Sequence, residues 1–100
     1  MYEMTTDEVL AAIEAGEEMI LIDVREREEI EAGHIEGIVH IPMGDIPGAV
    51  DSLKEQDKKF VIVCRSGARS GNVTMYLRQF DIDAYNMVGG MIDWQGEVIY

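Results

Sequence analysis

"KFVIVCRSGARSGNVTMYLRQF", residues 59–80, changes its hydrophobic period part-way along. Its first six residues, "KFVIVC", are an apolar and mostly β-branched run, the pattern of a strand covered on both faces. Val73, Tyr76, Leu77 and Phe80 then fall three, four and seven residues apart, which is one face of a helix. Between strand and helix stand Cys64, Arg65, Ser66, Gly67, Ala68 and Arg69, with Ser70 opening the helical stretch. A strand, a tight loop and a helix in succession are half of an α/β unit. In open α/β sheets, ligands bind beyond the carboxyl ends of the strands, which is where this pattern puts Cys64.

The rest of the chain repeats that alternation. Thr5 and Glu8 form a capping box at the start of a short helix with Val9, Leu10 and Ile13 on its apolar face and Gly16 at its end. "MILIDV" (19–24) reads as a strand, "EREEIEAG" (26–33) as a short acidic helix closed by Gly33, and "GIVHIP" (37–42) as a second strand stopped by Pro42. Ile46, Ala49, Val50 and Leu53 mark another helix, with Pro47 in its first turn. "DAYNMV" (83–88) is a last strand before the Gly89-Gly90 turn. Strands alternating with helices predict an α/β fold with a mostly parallel sheet.

One hundred residues are enough for a single domain with its own core. No apolar run approaches the ~20 residues that span a bilayer. "MYEMTTDEVL" lacks the basic start and apolar core of an export signal, and one cysteine forms no internal disulfide, so the expected location is the cytoplasm. The net charge of −12 argues against nucleic acid or an anionic membrane as a partner. Its distribution is uneven. Lys58 to Phe80 contains five of the eight basic residues and no acidic one, leaving three basic against twenty acidic elsewhere. Cys64 lies inside this cationic segment.

A loop closing onto a helix start turns several backbone N–H groups into one concavity and adds the positive end of the helix dipole. Gly67 permits the tight curve. A thiol there, with Arg65 and Arg69 beside it, is expected to have a lowered pKa and to be a nucleophile at neutral pH. Against this stands the commoner role of a lone cysteine, a small buried hydrophobe. The combination of cysteine, glycine, two arginines and a helix start favours chemistry.

The other candidates are fewer. Asp23, at the end of its strand, is placed either to support the loop by pairing with Arg69 or to cap the helix that follows. His34 reads as a structural imidazole bonded to nearby backbone, and His40 is assigned no role. Gly89-Gly90 and Met91 are placed to wall the loop, whereas Trp94 reads as a core aromatic. Glu26, Glu28, Glu29 and Glu31 read as a solvated helix face, and the seven methionines as core filler. No residues have metal-ligand spacing, and there is no nucleotide-binding fingerprint. No cofactor is therefore expected.

"CRSGARS" (64–70) resembles the active-site loop of rhodanese-like sulfurtransferases. "LIDVRE" (21–26), "GHIEGIVHIP" (33–42) and "NMVGGMIDW" (86–94) resemble the family's other recurring stretches, in the same order, so the likeness runs from Leu21 to Trp94. It implies five mostly parallel strands flanked by helices on both faces. It also implies a ping-pong reaction in which Cys64 takes a sulfane sulfur from a small anionic donor such as thiosulfate, holds it as a persulfide, and passes it to cyanide, a thiol or a protein acceptor. The N–H groups of Arg65, Ser66, Gly67, Ala68, Arg69 and Ser70 would then bind the substrate and persulfide, with Arg65 on the donor anion and Arg69 on the anion or bracing the loop. Arg25 and Glu26 would be structural.

Three other functions fit the same resemblance less closely. One is a relay module fed by another protein's persulfide, and another a non-catalytic domain that binds through its acidic surface. The third is a cysteine-dependent phosphatase or arsenate reductase. Phosphatases of this kind place the arginine six positions after the cysteine, whereas Arg69 follows Cys64 by five, which predicts a cradle sized for one sulfur. The ending "QGEVIY" departs from the longer glycine-proline tail often seen in the family.

Overall fold

The computed structural model describes residues 2–100. Five strands form one sheet in the order β1-β5-β4-β2-β3, where β1 is Glu3–Thr5, β2 Ile20–Asp23, β3 Val39–His40, β4 Lys59–Val63 and β5 Asp83–Val88. Every pair of neighbours is parallel. Four helices connect them: α1 (Thr6–Glu14), α2 (Arg27–Glu31), α3 (Ile46–Gln56) and α4 (Ala68–Arg78). Two 3-10 turns cover Met43–Asp45 and Gly90–Asp93.

The alternation along β4 sorts the core into two layers. Phe60 and Ile62 point to one face of the sheet and meet Ile46, Val50 and Leu53 of α3 and Val73 and Leu77 of α4. Val61 and Val63 point to the other and meet Val9 of α1, Met87 and Trp94. Helices thus cover both faces, as the sequence predicts for a strand apolar at every position. α2 buries no residue fully.

Two elements differ from the sequence reading. β1 is a strand of three residues that ends on the Thr5 N-cap itself, with no apolar run to announce it; its pairing with Asn86–Val88 of β5 makes it a strand. β3 shrinks to Val39–His40 because it is the other edge, bonded only to β2. The capping box is present as read, with Glu8 N–H donating to Thr5 Oγ1 (3.0 Å) and Thr5 N–H to Glu8 Oε1 (2.8 Å). The methionines divide: Met87 has no exposed surface, whereas Met43 and Met75 are 41% and 50% exposed and fill no core.

Candidate active site

Cys64 follows the last residue of β4 and has no solvent-exposed surface. From there the chain turns sharply. Gly67, at φ 100°, is the N-cap of α4 and stands so close to Gly89 that a Cβ would lie 3.1 Å from its nitrogen. Three groups converge on Cys64 Sγ: the Gly67 N–H (3.0 Å), the Ser70 N–H (3.4 Å) and the Ser70 hydroxyl (3.2 Å). The 3-10 turn after β5 holds the loop from its other side. Met91 N–H donates to Cys64 O (2.9 Å) and Ile92 N–H to Arg65 O (3.0 Å), which draws the loop carbonyls outward and leaves its amides facing the sulfur. Gly89-Gly90 and Met91 therefore do wall the loop.

Burial pushes the Cys64 thiol up. The Ser70 hydroxyl and the amides of Ser70, Gly67 and Ser66 more than offset that, and the thiol lies below its ordinary value. The sequence reading credited the loop amides and helix dipole together with the two arginines. The amide share stands, joined by the Ser70 hydroxyl, whereas the arginines contribute little because Arg69 is engaged elsewhere. Its guanidinium grips Glu29 of α2 at two points, Nη1–Oε1 and Nη2–Oε2, both 2.8 Å. That contact holds the Glu29 carboxyl down at about 2, since the hydrogen bond from Arg69 outweighs partial burial. Of the two roles open to Arg69, bracing the loop is the one observed. Glu29, read as part of a solvated face, is instead the brace's other half.

Asp23 does not pair with Arg69, nor does it cap α2, whose N-cap is Glu26. Arg25 folds back over the end of β2 and takes Asp23 for itself: Nε–Oδ1 is 2.9 Å, Nη2–Oδ2 2.9 Å, and the Arg25 N–H adds a bond to Oδ1 at 3.1 Å. Two residues' separation and a shared buried position make this partner far nearer than a loop on another strand. Arg25 Nη2 also donates to Gly33 O (2.9 Å), tying β2 to the turn after α2.

The remaining candidates settle readily. Ser66, Ala68 and Arg65 are exposed, while Ser70 is buried. Arg65 is the one loop cation without an ion-pair partner among the described residues. It borders a hollow of about 280 Å³ whose lining includes Arg25, Glu29, Met91 and Ile92. His34 Nδ1 donates to Ile30 O (2.9 Å), a structural histidine as read, and His40 Nε2 donates to Arg25 O (2.7 Å). Trp94 is 9% exposed with its indole N–H on Glu97 O (3.1 Å), a core aromatic. A more apolar hollow of about 210 Å³ lies between Met43, Ile46, Pro47, Asn72, Val73 and Tyr76 and includes no residue from Cys64 to Ser70.

Comparison with known proteins places this arrangement. The rhodanese-like domain family matches residues 5–97. The chain belongs to that family. The rhodanese-like domain is 48% identical over 95 residues to a Bacillus subtilis (strain 168) protein named "Putative sulfurtransferase YtwF", covering 95% of this chain and 91% of that one. It is 34% identical to the same organism's "Putative sulfur carrier protein YrkF" over 95% of this chain but only 51% of that longer one. Among solved structures it superposes on a rhodanese-like domain protein from Staphylococcus aureus with a TM-score of 0.88 and 37% identity, covering 97% and 94% of the two chains.

Three residues of the rhodanese-like site escaped the sequence reading. Glu29 braces Arg69. Ile92, 60% exposed, offers an apolar surface beside Arg65. Asn86 of β5, 8% exposed, accepts a hydrogen bond from the Ser70 hydroxyl and donates one to Gly67 O (3.1 Å). Its signal was present, since asparagine is disfavoured inside a strand and its burial requires partners. The site thus offers a nucleophile of lowered pKa in a nest of fixed donors, with one free cation at its rim.

Proposed function

We propose that this domain transfers sulfane sulfur, with Cys64 as the carrier. The observation that carries this reading is the convergence of two backbone amides and a hydroxyl on Cys64 Sγ. Such a nest favours an anionic sulfur, whether thiolate or persulfide. The Cys64 thiolate attacks the outer sulfur of the donor. With thiosulfate, the S–S bond breaks, sulfite leaves with its electron pair, and Cys64 keeps one sulfur as Cys–S–S⁻. The acceptor's nucleophile then takes that outer sulfur and returns the Cys64 thiolate; cyanide would leave as thiocyanate. Arg65 meets the donor's charge, and the amides from Ser66 to Ser70 hold the persulfide.

Intact mass after incubation with thiosulfate tests this directly. A gain of about 32 Da that cyanide removes, absent in Cys64→Ser, is expected for one persulfide sulfur. No gain in folded, reduced protein with any sulfane donor overturns it.

A second reading concerns the donor. With Arg69 committed to Glu29, Arg65 is left as the single free loop cation for a small dianion. That favours a donor whose affinity comes from elsewhere, such as a protein persulfide, and the likeness to a protein named as a sulfur carrier points the same way. Faster loading from a protein persulfide than from thiosulfate is the expected result; equal rates at equal concentration would restore thiosulfate as the donor.

A further inference from the structure

The Ser70 hydroxyl has one proton and two neighbours that call for it. On one side is Cys64 Sγ at 3.2 Å, and on the other Asn86 Oδ1, to which Ser70 Oγ donates. Which way Asn86 faces is fixed by its other contact. Gly67 O accepts only, so the amide nitrogen must point there (3.1 Å) and the amide oxygen must point at Ser70. Gly71, in the first turn of α4, packs closely against this amide: a Cβ there would lie 3.3 Å from Asn86 Nδ2.

While Cys64 is a thiol, the chain of donors is complete. The S–H donates to Ser70 Oγ, Ser70 donates to Asn86, and Asn86 donates to Gly67 O. When Cys64 ionises, its proton leaves to solvent and Sγ becomes acceptor only. The Ser70 proton can then swing to the sulfur, but only by leaving the buried Asn86 oxygen unpaired, which costs free energy. We propose that Asn86 is a positioning residue that competes with Cys64 for the Ser70 proton and so restrains, without abolishing, the ionisation that the Ser70 hydroxyl and the Gly67 and Ser70 amides promote. The same residue keeps the Gly67 carbonyl turned away from the sulfur, so one side chain governs both the loop's shape and the readiness of its nucleophile.

The proposal rests on Cys64 being the sulfur carrier for its use, but not for its test, which reads the thiol itself. The charged groups around the loop are Arg65, the Arg69–Glu29 pair between α4 and α2 with Glu26 near Arg69, the buried Asp23–Arg25 pair at the end of β2, and Asp93 of the 3-10 turn, packed against Gly89; among the described residues β5 brings no charged group into hydrogen-bond contact with the loop. None is altered by the variants below.

The rate of Cys64 alkylation by iodoacetamide is measured against pH in the full chain, with cooperative thermal unfolding as the check on folding. Asn86→Ala and the bulkier Asn86→Leu both remove the competing acceptor, and the Cys64 pKa is expected to fall by roughly one unit in either. In a Ser70→Ala background the same changes should shift nothing. Ser70→Ala with Asn86 intact is the reference for that arm. A residue that merely shaped the loop would do the opposite, since loosening Gly67 weakens a donor to the thiolate and raises the pKa. An unchanged or raised pKa in whichever of the two variants folds, or a fall that persists without Ser70, overturns the proposal. If the pKa falls but no sulfane donor loads Cys64, the sulfur-transfer reading fails while this one stands.

Discussion

Arg69 and Glu29 meet in a two-point salt bridge, both N–O distances 2.8 Å, that fastens the first turn of α4 to the acidic helix α2. Glu29 also accepts the N–H of Glu26 (2.9 Å), so one carboxylate caps the start of α2 and braces the loop. Both side chains are about a third exposed, which screens the pair, and its worth is about 1 kcal/mol. Glu29→Gln should lower stability by that amount at pH 7. The sign with pH follows from the depressed value of about 2 against an ordinary 4.5: the contribution is full above 4.5 and is lost as pH falls toward 2. Urea unfolding of both proteins at several pH values checks this, and their curves should converge in acid.

The two loop arginines should separate cleanly. Arg65 is exposed and unpaired, so Arg65→Ala leaves stability unchanged and raises the KM for thiosulfate about tenfold, the worth of one charged hydrogen bond. Arg69→Ala removes a brace instead. It should cost about 1 kcal/mol of stability and lower kcat, because a loosened loop aims its amides less well. Steady-state kinetics beside thermal unfolding distinguishes them; equal KM effects would mean that both arginines touch the donor.

Asp23 and Arg25 are 0% and 6% exposed, and removing one partner strands the other's charge in the core. Asp23→Ala should therefore destabilise by about 3–5 kcal/mol, a large share of what a domain this size holds. Chemical denaturation gives the figure, and a loss below about 1 kcal/mol would show that water or Gly33 O rescues Arg25.

How far the chain announced itself depended on whether a residue's role was local. β2, β4, β5, α3 and α4 were legible because period and capping are written within a few residues. Cys64 and its loop were legible for the same reason: cysteine, glycine and helix start are consecutive. What the sequence hid was pairing across the chain. Arg69 and Glu29 are forty positions apart, and an arginine in a loop can face several carboxylates; Asp23 was one of two open readings, partner of Arg69 or helix cap, and its partner is Arg25, two residues on. β1 was hidden for a related reason, since three residues at an edge become a strand only through β5. The family resemblance supplied the count of five strands and included Asn86 in one of its stretches, but it gave neither Asn86 nor Glu29 a role in the site.

Gly90 is where the site and the fold depend on the same missing atom. Its φ is 59°, and a Cβ there would lie 2.5 Å from the Arg65 carbonyl carbon and oxygen and 2.6 Å from Cys64 O. Those neighbours are backbone, so no rotamer change relieves the contact. They are also the very carbonyls that Met91 and Ile92 N–H groups hold. Gly90→Ala must push the 3-10 turn off the loop, breaking two hydrogen bonds and adding left-handed strain, for a loss of about 3 kcal/mol in all. Whatever protein remains folded should load sulfur poorly, because the loop amides are no longer turned inward. Gly44→Ala is the control, with an ordinary φ and nothing within 4 Å of the added carbon. It should fall within about 0.5 kcal/mol of the parent and load normally. Thermal unfolding and intact mass after thiosulfate are measured on both. A Gly90→Ala protein as stable and as readily loaded as the control would mean that the 3-10 turn is not what orients the Cys64 loop.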